Sequence, residues 1–204
     1  MNTAAAKDEQ RLQRREVVRA LLAERGALLV VAGLGSAAWD VTAAGDHPLS
    51  FPLWGAMGGA PAMGLGLAIA QPDRRVLVIT GDGEMLMGLG SLATIGVARP
   101  ENLAVVVLDN ERYGETGMQE SHTAHGVDLA AAAKACGFAT VSTITSMQQV
   151  EKLRGDLHAA NGPLFAQIKV SAEKLPLTLP PRDGTQLKNR FREALLGEKA
   201  HFQR

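Results

Sequence analysis

Two apolar runs that each end on polar residues constrain the fold of this chain more than any other feature. Residues 75–79 and 103–108 are rich in β-branched and aliphatic side chains, a composition typical of strands buried on both faces of a parallel sheet. The first run continues into Gly81-Asp82-Gly83 and the second into Asp109-Asn110. Because the carboxyl ends of parallel strands lie along one edge of a sheet, where ligands bind, we expect Asp82 and Asn110 to be neighbours.

These polar ends contain the ligands that a magnesium ion prefers. The Asp82 carboxylate, the Asn110 amide oxygen and nearby loop carbonyls are hard oxygen ligands, and Mg²⁺ held by so few protein groups keeps positions for phosphate oxygens and water. Gly81 and Gly83 allow the backbone to approach an anion closely. A helix is predicted to follow and to present its N-terminus to that anion; its apolar positions are Met87, Leu89, Leu92, Ile95 and Val97. The alternative is a plain strand-to-helix turn that Asp82 caps.

A second glycine-rich turn follows the strand predicted over residues 27–31. Its sequence, Gly33-Leu34-Gly35-Ser36-Ala37-Ala38, imitates the dinucleotide fingerprint G-x-G-x-x-A. That fingerprint also needs an acidic residue about twenty positions later, and Asp40 and Asp46 come too early. We therefore expect no complete dinucleotide site. A phosphate cradle made of backbone N–H groups and the Ser36 hydroxyl, and a plain tight turn, both remain open.

The rest of the chain alternates between helix and strand patterns, which predicts an α/β fold: a parallel sheet with helices on both faces. Further helices are predicted over residues 11–25, 128–136, 146–159 and 185–196. The third of these begins with a capping box formed by Ser146 and Gln149. Further strands are predicted over residues 139–143 and 164–170, and loops over 46–54, which could form an edge segment, and 111–126.

Residues 55–70 are mostly small or apolar and rich in glycine. This composition predicts a helix packed closely between layers or subunits. We divide the chain into a flexible N-terminal segment over residues 1–15, a single domain over 16–175, and a C-terminal extension with a short helix over 176–204.

Composition excludes several classes of function. The 21 basic and 21 acidic residues give no net charge, so no electrostatic field favours nucleic acid or an anionic membrane. Cys136 is the single cysteine, so neither an internal disulfide nor a cysteine metal cluster is expected. The charged first residues lack the apolar run of a signal peptide, and no stretch is apolar enough to span a membrane. We therefore expect a cytoplasmic protein with no nucleic-acid or membrane partner.

The spacing of the motifs resembles that of thiamine diphosphate-dependent enzymes, in which Gly-Asp-Gly precedes an asparagine. Here 26 residues separate Gly83 from Asn110. The resemblance covers residues 27–170 and is to the diphosphate-binding (PP) domain of these enzymes. More narrowly, the chain is similar to the β subunit of two-subunit sulfopyruvate and phosphonopyruvate decarboxylases. Three further stretches carry this similarity: Trp54-Gly-Ala-Met-Gly, the glycines of residues 64–70, and Asn110-x-x-Tyr113-Gly114-x-Thr116-Gly117.

The resemblance implies roles for individual residues. Asp82, the Asn110 side chain and the main-chain carbonyl of Arg112 would bind Mg²⁺. The Gly55 carbonyl would accept a hydrogen bond from the 4′-amino group of the cofactor, and Met57 would wedge between its two rings. The full set of predicted cofactor contacts is Gly33, Gly35, Ser36, Gly55, Met57, Gly81, Asp82, Gly83, Glu84, Met85, Asn110, Arg112, Tyr113 and Gly114. Positions 109 and 110 are commonly both asparagine in this family, and here position 109 is aspartate. The proposed metal ligand, Asn110, is retained.

The resemblance also implies a partner. A glutamate that activates the cofactor belongs to a pyrimidine-binding domain, and a single domain has no room for both. We therefore expect a pyrimidine-binding α subunit to supply the glutamate, in a hetero-oligomer with paired β subunits that catalyses at the interface. The substrate would be a small anionic 2-oxo acid. His122 is the candidate catalytic residue, either as a proton shuttle or as a substrate contact; His125 and the Arg112 side chain are further candidate anion contacts.

Three alternatives stay open at this stage. The chain could be the half-subunit of an acetolactate synthase-like carboligase or of a 2-oxo acid oxidoreductase. The lack of cysteine ligands disfavours iron–sulfur chemistry. From another class, it could be a regulatory module that binds a nucleotide at residues 33–38.

Overall fold

The computed structural model describes residues 11–159 and 161–202 of the chain. The strands in this part are β1 Leu29–Ala32, β2 Ser50–Pro52, β3 Val76–Gly81, β4 Leu103–Asp109, β5 Arg112–Tyr113, β6 Gln119–Glu120, β7 Thr140–Ile144 and β8 Leu164–Lys169. Six of them form one sheet in the order β2-β1-β3-β4-β8-β7, and every neighbouring pair is parallel. Strands β5 and β6 form a separate antiparallel hairpin.

Helices cover both faces of the sheet. They are α1 Arg14–Leu21, α2 Ser36–Ala43, α3 Ala60–Ala70, α4 Asp82–Met87, α5 Gly90–Ala98, α6 Leu129–Ala135, α7 Met147–Ala159 and α8 Gly184–Leu196, with short 3₁₀ helices at His122–His125 and Gly197–His201. Buried side chains of α1, α2 and α7 pack on one face, and those of α3, α5, α6 and α8 on the other. The predicted α/β architecture is confirmed.

Alternation along the central strands explains why one sheet supports two cores. In β4, Val106 points to the first core, and Val105 and Val107 point to the second. Successive side chains of a strand face opposite ways, so a strand covered on both faces needs apolar residues at every position. The apolar runs that predicted β3 and β4 reflect this double burial.

The helix predicted after Gly83 is in fact two helices, and the pattern was wrong on this point. Helix α4 ends at Met87 and α5 begins at Gly90. At the break, a β-carbon on Gly88 would stand 2.1 Å from the carbonyl oxygen of Gly58, so the incoming loop backbone occupies the space beside the chain. Of the apolar positions, Met87 and Val97 are 64% and 86% exposed.

Other local predictions are confirmed with small shifts in boundaries. The predicted capping box is present at the N-terminus of α7. The Ser146 N–H donates to Gln149 Oε1 at 3.1 Å, and the Gln149 N–H donates to Ser146 Oγ at 3.4 Å. The stretch expected as a loop over 111–126 contains the β5–β6 hairpin and a 3₁₀ helix.

The proposed division of the chain stays a prediction. Residues 1–10 lie outside the described residues, and α1 begins at Arg14, inside the segment that was expected to be flexible. Among the described helices none combines the length and apolar character that a membrane span requires. The cytoplasmic location also stays a prediction.

Candidate functional site

A cavity of about 350 Å³ lies at the carboxyl edge of the sheet. The ends of β3 and β4 form its floor, and the turn after β1, the β5–β6 hairpin and residues 173–177 form its walls. Asp82 and Asn110 both line it, as the order of the parallel strands predicted. The other predicted residues that line it are Ser36, Met57, Gly81, Gly83, Glu84, Arg112, Tyr113 and Gly114.

The Asp82 carboxylate is held by hydroxyl groups in a nearly dry position. It is 2% exposed, and its Oδ2 accepts a hydrogen bond from Ser121 Oγ at 2.5 Å. Thr123 Oγ1 stands 3.2 Å from the same oxygen. Burial raises the pKa of Asp82 to about 6, because desolvation disfavours the charged form, and the nearby Asp109 carboxylate raises it further while the hydrogen bond from Ser121 opposes the change. A bound cation would relieve this cost.

Asp109 supports the site without facing the cavity. It is fully buried, and its carboxylate accepts hydrogen bonds from Lys169 Nζ and Gln167 Nε2, both at 2.6 Å, and from Thr123 Oγ1 at 2.7 Å. Thr123 therefore stands between the two carboxylates of Asp82 and Asp109. The lysine compensates the Asp109 charge, which explains how an aspartate is accommodated beside Asn110.

Asn110 is positioned by its own loop. Its Oδ1 accepts a hydrogen bond from the backbone N–H of Arg112 at 3.0 Å, which holds the turn from β4 into the hairpin. An amide oxygen has two acceptor sites, so the same atom can also contact a metal ion. The amide oxygen and the Asp82 carboxylate approach one cavity from two neighbouring strands.

The glycines of the motif have different roles. A β-carbon on Gly83 would lie 2.6 Å from Cε1 of Tyr113, so the tyrosine ring requires glycine there. Beside Gly81, by contrast, no atom lies within 4 Å of where a β-carbon would stand. The space next to the Gly81 backbone at the cavity is therefore open to a ligand that approaches closely.

The turn after β1 has two glycines that contact acidic side chains. A β-carbon on Gly33 would meet Glu84 Oε2 at 1.7 Å, and one on Gly35 would meet Glu115 Oε1 at 2.8 Å. Gly35 also adopts a φ of +76°, which favours glycine. Burial raises the pKa of the Glu84 carboxyl above its usual value, and the hydrogen bond from the Thr80 hydroxyl opposes that shift.

Several predicted site residues do not face the cavity. Gly55 is exposed outside it, and the Met85 side chain is fully buried in the second core. His122 is exposed, and its Nδ1 lies 3.1 Å from the hydroxyl of Tyr113, which does line the cavity. His122 can therefore reach the site only through Tyr113 or by moving.

The Arg112 and His125 side chains, predicted as anion contacts, both have an acidic partner. The Arg112 guanidinium lies 3.0 Å from Glu120 Oε1, and His125 Nε2 lies 3.2 Å from Glu120 Oε2. Arg112 of the hairpin and His125 of the 3₁₀ helix thus share the exposed Glu120 carboxylate.

Residues that the motifs did not indicate also line the cavity, among them Arg14, Trp39, Glu115 and Lys174. Arg14 is buried and forms a short hydrogen-bonded ion pair with the buried Asp40. A signal for its burial existed, since Arg14 precedes Val17, Val18 and Leu21 at the spacing of one helix face. Residues 173–177 carry no such signal, because only the path of the chain after β8 brings them here.

The donor set of the cavity fits Mg²⁺ and a diphosphate. Within the described residues no three His, Cys, Asp or Glu side chains cluster in a way that could hold a metal ion, so a metal here needs ligands of mixed type. One carboxylate, one amide oxygen and open space beside Gly81 meet the oxygen preference of Mg²⁺ and leave positions for phosphate oxygens.

Comparison with known proteins gives consistent matches. Residues 35–168 match the family described as "Thiamine pyrophosphate enzyme, C-terminal TPP binding domain". The sulfopyruvate decarboxylase subunit beta of Methanocaldococcus jannaschii is 41% identical over 61% of this chain and 65% of its own length. The corresponding subunit of Methanothermobacter thermautotrophicus is 35% identical over 83% of this chain and 88% of its own length. The phosphonopyruvate decarboxylase of Streptomyces viridochromogenes is 37% identical over 80% of this chain, which is 41% of that protein.

Solved structures agree on the fold. A putative thiamin diphosphate-dependent enzyme from Mycobacterium smegmatis superposes with a TM-score of 0.67 at 23% identity, over 79% of this chain and 32% of its own. Benzoylformate decarboxylase from Polynucleobacter necessarius superposes with a TM-score of 0.68 at 19% identity, over 81% and 34% of the two chains. This chain thus spans about a third of each solved chain.

Proposed function

Because the chain belongs to the thiamine diphosphate enzyme family, through its C-terminal TPP-binding domain, we propose that it is the β subunit of a two-subunit, Mg²⁺-dependent decarboxylase. Its substrate would be a short 2-oxo acid that carries a second anionic group. The observation that carries this proposal is the meeting of Asp82 and Asn110 in one cavity, on a chain whose relatives include sulfopyruvate and phosphonopyruvate decarboxylases.

Different residues of this chain would bind the metal ion and the diphosphate of the cofactor. Asp82, the Asn110 amide and the main-chain carbonyl of Arg112 would hold Mg²⁺, and the backbone around Gly81 and the Ser36 hydroxyl would face the diphosphate. When bound, thiamine diphosphate supplies the nucleophilic carbon and the electron sink for the loss of CO₂. The hydroxyls at Oδ2 of Asp82 fix the carboxylate before any ligand arrives, which lowers the entropic cost of binding.

A pyrimidine-binding α subunit would complete the site with the activating glutamate. Two features support this part of the proposal. Two relatives that match over most of their length are themselves named as subunits beta, whereas the phosphonopyruvate decarboxylase is matched over 41% of its length. In addition, apolar side chains remain exposed on and around α3 and α5, among them Met63, Ile69, Met87 and Val97, as expected of a face covered by another subunit.

The second anion of the substrate needs a cationic contact, because an unpaired buried anion is costly. Lys174 lines the cavity and is exposed. Arg112 also lines it, but its guanidinium is paired with Glu120. We therefore add Lys174 to the candidate contacts that the motifs suggested, and the partner subunit can supply others.

Calorimetry with the Asp82→Ala and Asn110→Ala variants tests the metal assignment. Each substitution removes one proposed Mg²⁺ ligand, and we expect thiamine diphosphate binding in the presence of Mg²⁺ to fall by about a hundredfold or more. Asp73→Ala, at an exposed loop position, is the matched control and should bind normally. Unchanged affinity in both site variants would contradict the assignment.

Two further measurements separate the alternatives. Titration with NAD and ATP should give no binding; saturation by either would favour the nucleotide-binding module at residues 33–38. The complex with an α subunit should release CO₂ from members of a panel of 2-oxo acids, with sulfopyruvate and phosphonopyruvate tried first. If the cofactor binds and no member loses CO₂, the carboligase alternative becomes the better one.

A further inference from the structure

Glu84 is a buried acid that the proposed chemistry leaves without a role. It is 3% exposed, and its Oε2 accepts a hydrogen bond from the Thr80 hydroxyl at 2.7 Å. Its other oxygen, Oε1, is inaccessible to solvent and has no hydrogen-bond partner. A buried carboxylate is costly, so a glutamate at this position needs an explanation other than solubility or helix propensity.

Three separate loops converge on this carboxylate. The turn after β1 packs against it so closely that a β-carbon on Gly33 would overlap Oε2. The loop before α3 packs against the end of α4, where a β-carbon on Gly58 would stand 3.0 Å from the backbone nitrogen of Gly88. The backbone N–H groups of Leu34, Gly58 and Ala60 favour the charged form of the Glu84 carboxyl, although none makes a hydrogen bond to Oε1. Glu84 itself belongs to α4, directly after the Gly81-Asp82-Gly83 turn.

These loops are the ones that carry the cavity residues. The turn after β1 leads to Ser36, the loop before α3 carries Met57, and the start of α4 carries Asp82 and Gly83. The carboxylate is thus the common contact of three backbone segments that are far apart in the sequence. Glu84 is among the residues that line the cavity, yet it is only 3% exposed and its Oε2 is hydrogen-bonded to Thr80 inside the domain.

We propose that Glu84 is a positioning residue, whose carboxylate holds the turn after β1 and the loop before α3 against the Gly81-Asp82-Gly83 turn. Its role in cofactor affinity rests on the proposed function, whereas its role in holding the loops does not. Gly33 is then required because any side chain there would displace the carboxylate. Met57 and Ser36 keep their places at the cavity because their loops are joined at Glu84.

Hydrogen exchange in the cofactor-free chain tests directly whether Glu84 holds the two loops. In Glu84→Ala we expect the backbone amides of residues 33–36 and 56–60 to exchange about tenfold faster than in the parent chain, because the contact that they share is gone. The amides of β4 should keep their rates, since the hydrogen bond of the Glu84 carboxylate is to Thr80 of β3. Glu84→Gln keeps an oxygen that can accept from Thr80 and should restore most of the protection.

Two controls separate this role from general destabilisation. Thr80→Val removes the hydroxyl donor at nearly constant volume and should loosen the same two segments by a smaller factor, so the test survives if Glu84→Ala does not fold. Glu151→Ala, on the surface of α7, should leave both segments unchanged. Exchange that rises equally in β4, or that stays unchanged in both loops of the folded Glu84 and Thr80 variants, would overturn the proposal.

Calorimetry then tests whether the loop contacts of Glu84 affect cofactor affinity. With Mg²⁺ present, Glu84→Ala should bind thiamine diphosphate about tenfold more weakly, with rescue by Glu84→Gln. If the complex of the parent chain with an α subunit binds no thiamine diphosphate, the proposed function fails, while the exchange experiment still decides whether Glu84 holds the loops. If the loops loosen and cofactor affinity is unchanged, the link to the cofactor is wrong.

Discussion

At the scale of single residues, the environment of Asp82 predicts an effect on stability that depends on pH. Burial raises its pKa to about 6, above the usual value of 3.8. The folded chain therefore keeps a proton that the unfolded chain releases, and stability falls as the pH rises from about 4 to about 6. A shift of this size corresponds to about 3 kcal/mol.

We therefore expect Asp82→Asn to stabilise the metal-free chain above pH 6 by about 1–3 kcal/mol, with the advantage vanishing towards pH 4. Urea unfolding from pH 4 to 7.5 in the presence of a chelator measures this difference. The exposed Asp73→Asn is the control and should show no such trend. An advantage of the variant that is the same at every pH would contradict the assignment of the raised pKa to Asp82.

His122 gives a second prediction at this scale. Because its ring contacts the Tyr113 hydroxyl and does not line the cavity, a role in the reaction must pass through Tyr113 or through a movement of the 3₁₀ helix. His122→Ala should raise KM or lower kcat of the complex by about tenfold without weakening cofactor binding, and Tyr113→Phe should have a similar effect. Steady-state kinetics, with calorimetry as the control, decides this; two variants with normal kinetics would remove His122 from the site.

At the scale of elements, the break between α4 and α5 is the point where the loop before α3 contacts the chain, with Gly58 against Gly88. Any residue other than glycine at position 88 would place its β-carbon 2.1 Å from the Gly58 carbonyl oxygen. Helix packing onto the core begins again only after the break, with the buried Leu92 and Ile95. The break therefore gives the loop that carries Met57 its path to the cavity.

Paired glycine substitutions test this interpretation. Gly88→Ala places a methyl group against the Gly58 carbonyl, and we expect a loss of about 2 kcal/mol in the free energy of unfolding. Gly90→Ala, at the start of α5 with open space around it, should be neutral or gain up to about 1 kcal/mol. Chemical denaturation of both variants makes the comparison, and equal stabilities would mean that the close approach at Gly88 is not maintained in solution.

At the scale of the whole molecule, the site is open and the proposed chemistry is incomplete. The proposed metal ligands are present, the activating glutamate is expected on a partner, and the exposed apolar side chains near α3 and α5 are suited to subunit contacts. The C-terminal extension is hydrogen-bonded to the domain, since Trp54 Nε1 donates to the Pro181 carbonyl at 2.7 Å and Arg15 donates to the Pro176 carbonyl at 2.9 Å. Leu177 of the extension lines the cavity.

The purified chain alone should therefore bind the cofactor weakly and release no CO₂. Co-expression with a pyrimidine-binding subunit should restore turnover, and the two chains should elute together in size-exclusion chromatography. A complex made with a variant of that subunit that lacks the activating glutamate is the matched control and should assemble without activity. Full turnover by this chain alone would overturn the half-site interpretation.

The sequence by itself determined the sheet and the pairing of the motif ends. Doubly buried strands are apolar at every position, so β3 and β4 could be recognised locally, and the parallel arrangement then required Asp82 and Asn110 to meet. The capping box at Ser146 was equally readable, because its hydrogen bonds join residues three positions apart. The resemblance to thiamine diphosphate enzymes then predicted which cofactor these residues bind.

Only the tertiary structure decided which polar groups are buried and what surrounds them. Glu84 was predicted as a cofactor contact, and its carboxylate is buried against the turn after β1 and bonded to Thr80. Arg14 fell in a segment expected to be flexible, and it is buried against Asp40. Residues 173–177 reach the cavity from the end of the domain. Each of these contacts joins residues far apart in the chain, and no local periodicity or spacing encodes the distance between them.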